Sequence, residues 1–72
     1  DMVIKSANMT YVERIVWLQQ PERNYDFHVL APSDTNAIFK AVRLLESKKG
    51  LMRGALTKYY KEHPDAIIVK LK

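Results

Sequence analysis

The fold is decided by residues 25–50, which read YDFHVLAPSDTNAIFKAVRLLESKKG. Residues 25–30 alternate apolar and polar side chains, and this period of two predicts a half-buried strand. From residue 38 the apolar side chains recur at i, i+3, i+4 and i+7, which predicts an amphipathic helix. Ser33 is suited to cap the start of that helix, and Gly50 is suited to end it in a left-handed conformation. A strand leading into a capped helix therefore forms the centre of the chain.

The segment before this centre predicts a second strand that pairs with the first as a hairpin. Residues 11–18 are rich in β-branched and aromatic side chains, which favour strands. Both faces of this strand are apolar at one end, so we expect a central, well-covered strand with its tryptophan in the core. The two faces carry Val12, Val16 and Leu18 on one side and Tyr11, Ile15 and Trp17 on the other.

The segment after the centre predicts a second helix and a last strand. The helix is expected from about residue 51 to residue 62, because Pro64 prevents it from continuing. Its expected core residues are Met52, Ala55, Leu56 and Tyr59. Residues 66–71 alternate again and predict a closing strand, with Ile67, Val69 and Leu71 facing the core. Because this strand follows the helices, we expect that it can run parallel to one neighbour.

These elements define an α+β domain in the order (β)ββααβ, with the helix pair packed on one face of a small sheet. The sheet has three strands, or four if residues 2–5 form a short strand. The length of 72 residues predicts a single domain over residues 1–72. A start at Asp1 is consistent with a domain cut from a longer protein.

The composition excludes several classes of function. The chain has no cysteine and only two histidines, which excludes disulfides and thiol catalysis and argues against a metal site. No apolar stretch approaches the length of about 20 residues that a membrane span needs. We therefore expect a cytoplasmic protein without a metal, a cofactor or a membrane partner.

The positive charge is concentrated in the two predicted helices. Residues 40–61 contain seven basic side chains and one acidic side chain, whereas the rest of the chain has five basic and seven acidic ones. The first helix should present Lys40 and Arg43 opposite its apolar face. The expected second helix would present its own cations near the same junction. Such a surface is typical of phosphate binding, although charged solvent-facing helices are also common.

Two glycines mark the junction between the predicted helices. Gly50 and Gly54 enclose a basic residue, and a glycine turn beside a helix N-terminus lets backbone N–H groups approach a phosphate. The order ββααβ with this turn resembles the core of one type of KH domain, whose GXXG loop clamps single-stranded nucleic acid. Here three residues rather than two separate the glycines. A helix-turn-helix with residues 51–62 as the recognition helix is the competing interpretation.

The sequence therefore predicts a non-enzymatic nucleic-acid-binding module, either whole or as an accessory domain of a DNA- or RNA-processing protein. The alternative is a protein-interaction module that uses an exposed strand edge and has a merely solvated basic face. A small ribonuclease is the third hypothesis, because Asp26 and His28 share one strand face. The predicted nucleic-acid contacts are Lys40, Arg43, Lys48, Lys49, Gly50, Arg53, Thr57, Lys58, Tyr60 (as a stacking ring) and Lys61.

Overall fold

The computed structural model describes residues 10–72, and the short strand expected at residues 2–5 lies outside the described residues. The chain forms an α+β domain, as predicted. Its elements in chain order are β1 (Val12–Gln19), β2 (Asn24–Ala31), α1 (Asp34–Lys48), α2 (Thr57–Glu62), a 3-10 turn (Pro64–Ala66) and β3 (Ile67–Leu71).

The three strands form one antiparallel sheet in the order β2-β1-β3. In the hairpin, Val16 lies opposite Phe27, and on the other side of β1 it lies opposite Val69. The expectation that the last strand pairs parallel to a neighbour is wrong, because β3 pairs antiparallel with β1. β3 runs in the same direction as β2, but β1 lies between them. After β2 the chain passes through α1 and α2 and then returns as β3 on the opposite side of β1.

The core lies between one face of the sheet and α1. Val16 and Leu18 of β1 are completely buried, and so are Ala41 and Leu45 of α1. The predicted alternation in β2 is confirmed, since the side of the strand that carries Val29 faces this core. α1 thus covers the sheet with the apolar stripe that its spacing predicted, and it contacts all three strands.

Both ends of α1 have the predicted caps. The Ser33 hydroxyl accepts a hydrogen bond from the Asn36 backbone N–H at 3.2 Å. At the other end Gly50 adopts a φ of 71°. The Gly50 N–H donates to the Ser47 carbonyl, and the Leu51 N–H donates to the Glu46 carbonyl. This pair of bonds is a Schellman motif, which requires a left-handed residue and so favours glycine.

The second helix is shorter than predicted. It begins at Thr57, and residues 51–56 form an irregular segment that we call the junction loop. Gly54 has a φ of 91°, which an α-helix does not allow. The expected burial is therefore wrong for Met52, which is 83% exposed, and for Ala55, which is also exposed, although Leu56 is buried as predicted.

The second helix also turns a different face to the core than predicted. Tyr60, which was expected to be available as a stacking ring, is only 4% exposed, and Tyr59 is half-buried. The late start of the helix after Gly54 changes which side chains point inward. The closing strand follows the prediction at its start, since Ile67 and Val69 pack against the core, but Leu71 is exposed.

The second face of the sheet is left uncovered by residues 10–72. It carries Ile15 and Trp17 from β1, and in register with them lie His28 and Asp26 of β2. Trp17 is half-buried and lies outside the hydrophobic core cluster, so the expectation that it belongs to the core is wrong. None of the helices formed by residues 10–72 is long and apolar enough to cross a membrane.

Candidate nucleic-acid interface

Three of the seven predicted cations meet in one groove. Lys40 and Arg43 reach it from the solvent-facing side of α1, and Arg53 reaches it from the junction loop. The groove has a volume of about 710 Å³ and is open to solvent. We call it the basic groove, and its lining is completed by Val29, Leu30, Phe39 and Leu44.

The apolar part of the basic groove is unusually exposed. Phe39 and Leu44 lie on α1 beside the cations, and they are 52% and 48% exposed. Leu30, from the outer side of the edge strand β2, is also 52% exposed. Large apolar side chains that are exposed together and bordered by charges are typical of an interaction surface.

Two of the three cations of the basic groove are held by contacts within the fold. The Lys40 ammonium donates to the Leu30 carbonyl at 2.6 Å, which leaves two of its three N–H donors for a ligand. Arg43 pairs with Glu46 at 3.3 Å. Among residues 10–72, no carboxylate lies within ion-pair distance of Lys40 or Arg53. The groove therefore keeps a net positive charge.

The backbone anion site predicted at the junction is occupied by the protein itself. The Glu46 carboxylate accepts the Gly54 N–H at 2.9 Å and the Leu56 N–H at 2.8 Å. Burial raises the pKa of Glu46, but these two N–H groups and Arg43 outweigh burial, and the pKa lies below its ordinary value. A phosphate cannot use N–H groups that an internal carboxylate already holds. The KH-like and helix-turn-helix interpretations both need a helix that begins directly after Gly50. Residues 51–56 form no helix, so neither arrangement is present at the junction.

Lys49 and Tyr60 belong to one internal hydrogen-bond network, in which Tyr60 is buried and Lys49 lies at the exposed edge. The Lys49 ammonium donates to Gln20 and to Glu22, at 2.8 Å each. The Gln20 amide donates to the Tyr60 hydroxyl at 2.7 Å, and that hydroxyl donates to the Gln19 carbonyl at 3.0 Å. This network ties the start of the hairpin turn to both helices. The role of Tyr60 as a stacking ring is therefore wrong, because the ring is buried.

The pKa values follow the same contacts. The hydrogen bond between Lys49 and Glu22 raises the pKa of the lysine and lowers that of the carboxyl. Burial is the main cause that raises the pKa of the Tyr60 hydroxyl, and the hydrogen bond from Gln20 opposes it. At neutral pH Lys49 is thus charged but paired.

The other predicted contacts do not line the basic groove. The Lys48 ammonium lies 6.0 Å from the centre of the Tyr25 ring, and Thr57 and Lys61 line a smaller depression between the two helices. Lys58 is exposed on α2. Gly50 is exposed at the end of α1, where its conformation is needed for the cap. Thr57 and Lys61 are nonetheless close to the basic groove, because Phe39 lines both their depression and the groove.

Of the features that the ribonuclease hypothesis needs, the structure shows only that Asp26 and His28 share one strand face. Asp26 and His28 are both exposed on the uncovered face of the sheet, where their cross-strand neighbours are Trp17 and Ile15. Neither neighbour is a nucleophile or a third catalytic group. Within residues 10–72, no three histidine, aspartate or glutamate side chains are grouped closely enough to hold a metal ion.

The sequence interpretation missed apolar residues of the basic groove, among them Phe39 and Leu44, and it missed the role of Glu46 at the junction loop. Phe39 and Leu44 interrupt the polar side of α1 next to Lys40 and Arg43, and this departure from a clean amphipathic pattern is a signal that could have identified them. Glu46 is the single acid among seven bases in residues 40–61, which could have suggested an internal partner.

Comparison with protein-family models, with curated proteins and with solved structures found no match for this chain.

Proposed function

We propose that this domain is a non-enzymatic nucleic-acid-binding module that binds a phosphate backbone in the basic groove. The observation that carries the proposal is the convergence of Lys40, Arg43 and Arg53 around exposed apolar side chains. Cations in a groove attract the phosphates of any sequence. The proposed site is therefore narrower than the cation set expected from the sequence.

In this proposal Phe39, rather than Tyr60, provides the aromatic ring on which a base stacks. Its ring is half exposed and lines the same groove as the three cations. Bases stack on exposed aromatic rings irrespective of sequence, so a cationic groove with such a ring favours a single strand over a duplex. Arg53, on the junction loop, supplies planar donors for a phosphate.

Fluorescence anisotropy with a labelled single-stranded 12-mer tests the proposal. If each of the three cations neutralises one phosphate, the slope of log K against log salt is about −2 for a single strand. Affinity should then fall roughly 20-fold between 50 and 200 mM salt. Absence of binding at 50 mM salt would refute the proposal.

Matched variants locate the binding surface. Arg53→Ala should weaken binding and reduce the salt slope by about 0.7, and Phe39→Ala should weaken binding to single strands more than to duplexes. Lys58→Ala removes the same charge from an exposed position outside the groove and should change the slope little. Equal losses for Arg53→Ala and Lys58→Ala would mean that attraction is diffuse and that the groove is not the site.

A second candidate, protein binding by strand addition, is favoured by one observation. Within the described part of the chain, β2 and β3 form the two edges of the sheet, and β3 ends in the exposed Leu71. Edge strands offer unpaired backbone groups to a partner strand. NMR shift changes confined to β3 in the presence of a partner, together with no oligonucleotide binding, would favour this function.

A further inference from the structure

The uncovered face of the sheet contains a recess that is separate from the basic groove. Its volume is about 360 Å³, and the Trp17 ring lies in its wall beside Ile68, the cross-strand neighbour of Trp17 on β3. Polar side chains surround this apolar patch. They are Gln19 and Asn24 from the two sides of the hairpin, Asp65 from the 3-10 turn and Lys70 from β3.

We propose that this recess binds adenine or cytosine, the two bases in which an exocyclic amino group lies next to a ring-nitrogen acceptor on the pairing edge. Trp17 offers a flat indole on which a base can stack. Stacking of this kind contributes to affinity for any of the bases. The edge of the base then meets the polar side chains of the recess. The proposal does not rest on the basic groove, because the two sites share no residue.

The polar groups of the recess match the edge of an amino-bearing base. Gln19 and Asn24 lie opposite each other at the end of the hairpin, and an Asn or Gln amide can pair with both N6 and N7 of adenine. The Asp65 carboxylate only accepts hydrogen bonds, and it matches the amino group of adenine or of cytosine. Uracil has no amino group, so it can donate fewer hydrogen bonds to this carboxylate.

The charges of the recess favour a base over a phosphate as the main contact. Asp65 lines it, and Asp26 lies beside Trp17 in register on the same face. Among residues 10–72, Lys70 is the one cation in the lining, and its ammonium lies 5.7 Å from the centre of the Trp17 ring. A neutral ring fits this balance. Lys70 is exposed, and its long side chain can move from the indole to a sugar phosphate when a base occupies the ring.

The chain reports on this site without a label, because Trp17 is its only tryptophan. Tryptophan fluorescence is followed while AMP, CMP, UMP or ribose 5-phosphate is added to the full chain. AMP and CMP should quench saturably, UMP about tenfold more weakly and ribose 5-phosphate not at all. Quenching by ribose 5-phosphate equal to that by AMP would overturn the proposal, because the site would then recognise phosphate.

A second arm distinguishes a free nucleotide from a base within a strand. Saturable quenching by AMP identifies the free nucleotide as sufficient, and quenching only by a short oligoadenylate identifies a base within a single strand. Either result supports the base site. No response to both ligands overturns it, and so does a tryptophan signal that changes only with protein concentration, which would identify this face as a contact between two copies of the chain.

Matched variants separate this site from the basic groove. Asn24→Ala should weaken the AMP response about tenfold, since it removes one edge contact. Asn36→Ala, the same change on the exposed side of α1, should leave the response unchanged. Arg53→Glu should abolish groove binding but preserve quenching by AMP. Loss of quenching in Arg53→Glu with a native circular dichroism spectrum would show that no separate base site exists.

Discussion

Replacement of Glu46 by alanine should destabilise the whole domain, although Glu46 is one of eight acidic residues in the chain. Its side chain is only 2% exposed. It holds the backbone N–H groups of Gly54 and Leu56 and also pairs with Arg43. These bonds fasten the junction loop to α1. Without them the loop loses the contact that sets the start of α2.

The magnitude follows from the donors that the substitution leaves behind. Leu56 is buried, and a buried donor without a partner costs about 1–3 kcal/mol. A hydrogen bond to a charged group contributes about 1.5–3 kcal/mol, and the Gly54 N–H keeps access to water. We expect Glu46→Ala to cost about 3 kcal/mol. A domain of 72 residues has a total stability of roughly 4–11 kcal/mol, so this single change removes a large part of it.

The same contacts give a dependence on pH. The pKa of Glu46 is lower in the folded state than its ordinary value of 4.5. Its contribution to stability is therefore fully present above the ordinary pKa. It is lost as the pH falls through the lower pKa of the folded state. The difference in free energy of unfolding between wild type and Glu46→Gln should accordingly shrink as the pH is lowered below about 4.5.

Urea unfolding at pH 7, followed by circular dichroism, measures the effect. Amide exchange at Leu56 reports on the junction loop itself and should accelerate in Glu46→Gln before the domain unfolds. Glu62→Gln is the matched control, because Glu62 is an exposed carboxylate of α2. A loss below 0.5 kcal/mol in Glu46→Ala, or equal losses in Glu46→Gln and Glu62→Gln, would refute the structural role assigned to Glu46.

Two further substitutions test the internal network and the cap of α1. Tyr60→Phe removes a buried hydroxyl that links Gln20 and the Gln19 carbonyl and should lower the free energy of unfolding by about 1–2 kcal/mol; an unchanged urea midpoint would contradict the network. Gly50→Ala places a Cβ at a φ of 71° and should cost about 1 kcal/mol without weakening oligonucleotide binding, whereas a selective loss of binding would return Gly50 to the interface.

Much of the scaffold could be predicted because it depends on local rules. The alternation in β2 and the spacing in α1 each follow from one buried face, and Ser33 and Gly50 mark the helix ends by conformational preferences of single residues. The length of the second helix could not be predicted in the same way. Its start depends on the conformation of Gly54 and on a carboxylate eight residues earlier in the chain.

The candidate site was predicted only as a charge pattern. Lys40, Arg43 and Arg53 belong to a cationic run that composition alone reveals, and Arg53 joins the other two because the junction loop folds back beside α1. Lys49 belongs to the same run, yet it is paired with Glu22 of the hairpin turn. A count of charges cannot distinguish these cases, because the partner of Lys49 lies 27 residues away.

The sequence by itself determined the α+β class, the central strand-to-helix unit and the basic character of residues 40–61, since these depend on local periodicity, caps and composition. The tertiary structure alone decided which side chains are available to a ligand. Burial of Tyr60, use of the junction N–H groups by Glu46 and the position of the half-buried Trp17 outside the core cluster all depend on contacts between distant segments. Local rules specify the elements, whereas the packing of one element on another specifies the surface.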